Sequence, residues 1–143
     1  MLEEKYSSKF ELAYTLYLEI SKIHPQTKSD CSYLSRALGQ LIYNKFGKEV
    51  IGISKEAEKE LKEALTEDHF NNCQNVGEYL LKTPALKRDE FEKLIVESRK
   101  TIIVTKKENS TLRKFQKNKT FGHGLEAYKE AQIEINFYPK LNL

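Results

Sequence analysis

Apolar residues recur at steps of three and four along most of the chain, the period of one buried helix face. Ser8-Lys9-Phe10-Glu11 has capping-box spacing and predicts a helix start, with Leu12, Ala13, Leu16, Tyr17, Ile20 and Ile23 as its apolar positions and Pro25 as its stop. A second helix is expected from Ser29 or Asp30, striped by Tyr33, Leu34, Ala37, Leu38, Leu41 and Ile42 and closed near Phe46-Gly47. Val50 to Ile53 reads as a brief strand or a buried extended link. Ser54 is then expected to cap a third helix that buries Ala57, Leu61, Ala64 and Leu65.

The period breaks across Thr66 to Cys73, TEDHFNNC, where adjacent asparagines suit a turn around His69. Helical spacing resumes at Val76, Tyr79 and Leu80 up to Thr83-Pro84, and again over Lys87 to Glu97, which places Phe91, Leu94 and Ile95 inward. Thr101 to Thr105, TIIVT, has the β-branched run of a strand. Thr105 to Glu108 forms a second capping box, opening a helix with Leu112 and Phe115 inward and Lys114 and Lys117 outward. Gly122 and Gly124 mark a loop, followed by a short helix over Leu125 to Ala131 and an extended Ile133 to Ile135. The expectation is a mainly α protein of α+β class, with one small two- or three-stranded sheet.

At 143 residues, with 39% apolar and 31% charged side chains, the chain has the composition of one globular domain. Within 1–143 a helical part is expected over 8–66 and a basic strand-helix part over 87–137. No apolar run approaches the roughly 20 residues that cross a bilayer, and MLEEKYSSKF lacks the pattern of a signal peptide, so a cytoplasmic protein without membrane contact is expected. Cys31 and Cys73 form no CxxC pair, which argues for reduced thiols and against structural zinc.

Charge changes the picture most. Arg99 to Thr120 holds eight cations against one anion, Glu108, a local +7; the remainder carries 16 cations against 20 anions. Arg99, Lys106, Lys107, Arg113, Lys114, Lys117 and Lys119, interleaved with Phe115 and Phe121, have the makings of a surface for phosphates, either of DNA or of RNA. A solvated face of a lysine-rich chain, or a surface for an acidic protein, uses the same residues.

Candidate chemistry is sparser. His69 follows Glu67 and Asp68, and a histidine beside carboxylates suits a general base or a metal ligand, though a packed or exposed loop histidine has the same surroundings. His123 lies between two glycines whose backbone would let a ligand approach, or simply in a surface loop. Glu108 has its structural role in the capping box and Asn109 sits in a first helical turn; His69 lies four residues from Cys73 and could face it on a helix, but the intervening asparagines argue against that helix and against a nucleophilic thiol. Tyr33, Tyr43 and Tyr79 read as core aromatics, and His24 as a helix end. No Walker loop, dinucleotide fingerprint or nucleophile elbow is present, so no nucleotide cofactor is expected.

TEDHFNNCQNVGEYLL, then TIIVTKKENSTLRKFQKN and GLEAYKEAQIEI, together resemble a group of small phage and bacterial proteins related to HNH-type endonucleases, over residues 66 to 135. That resemblance implies phosphodiester hydrolysis with Mg2+ or another divalent metal, and places His69, Asn109 and His123 in the catalytic positions. A nucleic-acid-binding protein, with or without nuclease activity, is thus one expectation. A non-enzymatic inhibitor or adaptor of the kind encoded by phages is the other.

Overall fold

The computed structural model describes residues 1–139 as two compact units, each assembled from two stretches of chain. The first, 1–47 with 71–99, is helical: α1 (Ser7–Ile20), α2 (Lys28–Ile42), α3 (Cys73–Lys82) and α4 (Arg88–Ser98). The second, 48–70 with 100–139, holds β1 (Glu49–Ser54), β2 (Leu65–His69), β3 (Lys100–Thr105), α5 (Lys106–Gln116), α6 (Glu126–Glu130) and β4 (Ile135–Phe137). With 54% of the described residues helical and one small sheet among them, the α+β class read from the sequence holds. Residues 48–66, grouped by the sequence with the N-terminal helices, instead belong with the sheet.

In the helical unit, α1 buries Phe10, Ala13 and Tyr17. Their i, i+3, i+7 spacing sets the inward face, and it leaves the neighbouring Leu12 and Leu16 exposed. Ser8 is no cap: a 3-10 turn over Glu4–Tyr6 runs into α1, whose N-cap is Tyr6 without a side-chain bond. Thr27 caps α2 instead, its Oγ1 accepting the Asp30 amide at 3.0 Å. Tyr17 is fully buried, and its hydroxyl donates to the Thr83 carbonyl and accepts the Leu86 amide, tying down the link between α3 and α4. Tyr33, expected inside, is 76% exposed, and Tyr79 is also at the surface.

α2 and α3 approach closely through small residues. A Cβ on Gly77 would stand 1.9 Å from the Ser35 carbonyl oxygen, and one on Gly39 would stand 2.3 Å from that of Cys73. These pairings step forward along one helix and backward along the other, so the helices are antiparallel, with the four-residue spacings Ser35/Gly39 and Cys73/Gly77 forming the seam.

In the second unit the strand order is β2-β3-β1-β4. β3 pairs parallel with β1 and antiparallel with β2, and β4 runs antiparallel along the other side of β1. The sheet thus has four strands, because Leu65–His69, read from the sequence as part of a helix and an irregular turn, pairs residue for residue with Thr105–Thr101. The expected third helix is absent. The Ser54 hydroxyl accepts the Ala57 amide at 3.0 Å, but only two 3-10 turns follow, over Ala57–Lys59 and Lys62–Ala64. Of the intended helical face only Ala57 is buried and Leu61 is 77% exposed, so no core holds this helix-prone stretch in helical form. One face of the sheet carries Ile102 and Val104 against Phe70, Leu112, Ala127 and Tyr128.

Candidate nucleic-acid interface

α5 is the best anchored element of the basic segment. The Thr105 Oγ1 accepts the Glu108 amide and the Glu108 carboxylate accepts the Thr105 amide, each at 3.0 Å, completing the capping box. Glu108 also accepts the Ser54 hydroxyl, so the helix start is fastened to the end of β1. Leu112 and Gln116 are buried, and Phe115 packs against the core cluster; it is no free stacking ring.

At 3.6 residues per turn, this inward face dictates what points out. Arg113, Lys106, Lys117, Lys114 and Lys107 fall within about 120° of the helix circumference, opposite Leu112 and Gln116. All five are exposed, and only Ser110 lies among them. No carboxylate shares this arc, since Glu108 is turned to its cap. Lys106, Lys107, Lys114 and Lys117 enter no ion pair among the described residues.

Two cations assigned to this surface by the sequence are engaged elsewhere. Arg99 ends α4 in the helical unit with its side chain 13% exposed and lies 3.8 Å from the Glu3 carboxylate. Lys119 is folded onto Glu130, leaving its side chain 15% exposed.

Beneath α5 lies a polar cluster that the sequence does not signal. Asp68 on β2 is 6% exposed, and its Oδ2 accepts the Gln116 amide at 2.8 Å and the Tyr128 hydroxyl. Burial pushes the Asp68 carboxyl above the usual carboxylate range, and the two donated bonds offset part of that shift. Burial beside this carboxylate holds the Tyr128 phenol protonated, a permanent donor.

The three residues given catalytic roles come from three separate elements: a strand end, a helix and a loop. His69 ends β2 opposite Thr101, whereas Asn109 stands in the first turn of α5, directly after Thr105. Thr105 pairs with Leu65, so the length of β2, about 13 Å, separates these two ends of the ladder. His123 belongs to the His69 end: Gly124 beside it lies against the Phe70 carbonyl, where a Cβ would come within 1.8 Å. The His123 Nδ1 is 3.0 Å from Glu126, whose carboxyl it holds below the usual range. Burial and the charge of Lys48 push His69 below the ordinary imidazole value. Among the described residues no group of three His, Cys, Asp or Glu side chains is placed to hold a metal ion.

In the helical unit, Cys31 and Cys73 border a cleft of about 970 Å³ floored by Leu38 and Leu80. Burial raises the Cys73 thiol, keeping it protonated and unreactive near neutrality. No helix among the described residues is long and apolar enough to cross a membrane. Comparison with protein-family models, with curated proteins and with solved structures gives no match to the chain.

Proposed function

We propose that this protein binds nucleic acid through the outward face of α5, using Lys106, Lys107, Arg113, Lys114 and Lys117. The observation that carries this reading is the gathering of five exposed cations on one acid-free arc of a helix whose cap and inward face are fixed. Such clustering costs self-repulsion in the free protein and is relieved when an anionic partner releases its counterions. An acidic protein offers charge without a regular spacing, whereas a phosphate backbone supplies it at every nucleotide.

The proposal is of binding alone: it rests on the cationic arc of α5, which includes none of His69, Asn109 and His123. The test is electrophoretic mobility of mixed-sequence DNA and RNA with the purified chain. Binding should weaken steeply between about 50 and 200 mM salt and disappear in the double variant Lys107→Glu/Lys114→Glu. Absence of binding at the lowest salt, together with nuclease-resistant capture of an acidic protein, would overturn it.

A further inference from the structure

We infer that the α5 face contacts double-stranded DNA across a groove, touching both backbones and reading no bases; this rests on the nucleic-acid reading above. The five cations do not form one line. By helical geometry Lys106, Arg113 and Lys117 fall in one row, Lys107 and Lys114 in a second about 90° around the helix, with Ser110 between the two. With lysine side chains extended, the rows stand about 10 Å apart and run about 17 Å along the axis, a separation close to the roughly 12 Å width of a B-form major groove. A single strand offers one backbone and engages one row; a duplex offers two.

The chemistry of the face agrees with the geometry. Single-strand binders add aromatic platforms on which bases stack. Here the one ring of α5, Phe115, is turned into the core cluster. The exposed rings of this unit, Phe137 and Tyr138, lie at β4, the edge strand beyond β1. The arc holds no asparagine or glutamine for base edges, since Gln116 is bonded to Asp68 and Asn109 is half-buried beside the cap. What remains are lysines, an arginine and a hydroxyl, which contact phosphate; Arg113, whose guanidinium could also read guanine, falls at the outer edge of its row, on the side away from Ser110 and the groove floor.

The test is fluorescence anisotropy with a labelled 20-base-pair DNA duplex, each of its two strands alone, a scrambled duplex and the RNA duplex of the same sequence. The expected result is duplex DNA binding at least about tenfold tighter than either strand at low salt, with the scrambled duplex within twofold. The logarithm of affinity should fall against the logarithm of salt with a slope of about −4.5 for five phosphates. Lys114→Glu and Lys117→Glu, one from each row, should each cut duplex affinity by about tenfold while leaving the circular dichroism spectrum unchanged. Strands bound as tightly as the duplex, above all if Phe137→Ala abolishes that binding, would overturn the inference and leave the nucleic-acid reading standing. Tighter binding of the RNA duplex would overturn it in the same way. Failure of every probe to bind would remove the reading itself.

Discussion

The Tyr128 hydroxyl donates to Asp68 Oδ2, joining α6 to β2 through a buried carboxyl that also accepts the Gln116 amide of α5. Because desolvation raises the folded-state pKa of Asp68, the neutral acid is the form that folding favours. Stability from this group is therefore fully present below the unfolded value near 3.9 and is lost as pH rises through the higher folded value. Comparing Asp68→Asn with the parent by urea unfolding, the difference in favour of the variant should grow as pH increases from about 4. A difference independent of pH would show that Asp68 titrates alike in the folded and unfolded chain.

Tyr128→Phe removes one of the two side-chain donors to the Asp68 carboxyl and leaves Gln116. The expected cost is about 1–3 kcal/mol where Asp68 is ionised, shrinking as the pH falls below its raised folded-state value and the acid becomes neutral. A cost that stays equal from pH 4 up to pH 9 would assign the loss to packing and not to the hydrogen bond.

Gly77→Ala places a methyl group 1.9 Å from the Ser35 carbonyl oxygen, and backbone on a packed helix cannot swing aside as a side-chain tip can. Destabilisation of about 3 kcal/mol, the upper end for overpacking, should appear as a lowered urea midpoint. Gly122→Ala meets no atom within 4 Å, yet its φ of +89° disfavours a side chain, so a smaller loss of about 1 kcal/mol is expected there.

Glu108→Ala should lower stability by about 1–2 kcal/mol, since the Thr105 amide and the Ser54 hydroxyl both lose their acceptor. Glu108→Gln keeps an acceptor oxygen there and should recover most of that loss in thermal unfolding. Recovery of stability with unchanged DNA affinity fits a residue that fastens the helix; loss of DNA affinity in a fully stable glutamine variant would instead place Glu108 in the contact surface.

Lys119→Ala and Arg99→Ala should change DNA affinity less than twofold, against about tenfold for Lys114→Glu, because Glu130 and Glu3 already neutralise these two cations. A drop for Lys119→Ala equal to that for Lys114→Ala would extend the contact beyond α5.

What was legible in the sequence was local. The Thr105–Glu108 box, the TIIVT strand and the positions of Leu112 and Lys114 follow from spacing and side-chain chemistry within a few residues, so α5 and its cationic face could be read directly. Only tertiary structure decided the state of 54–69: a helix-prone stretch with no core to bury Leu61 gives way, and the polar LTEDH becomes a strand because β3 offers it backbone partners. Pairing also decided the setting of His69, which the register fixes at the end of β2 opposite Thr101, while Asn109 stands on the helix that starts from the other end of β3, a relation that linear spacing cannot measure. The basic segment was visible from charge alone. Which of its cations are spent on Glu3 and Glu130, and which stand free on α5, depends on carboxylates that folding brings from elsewhere in the chain.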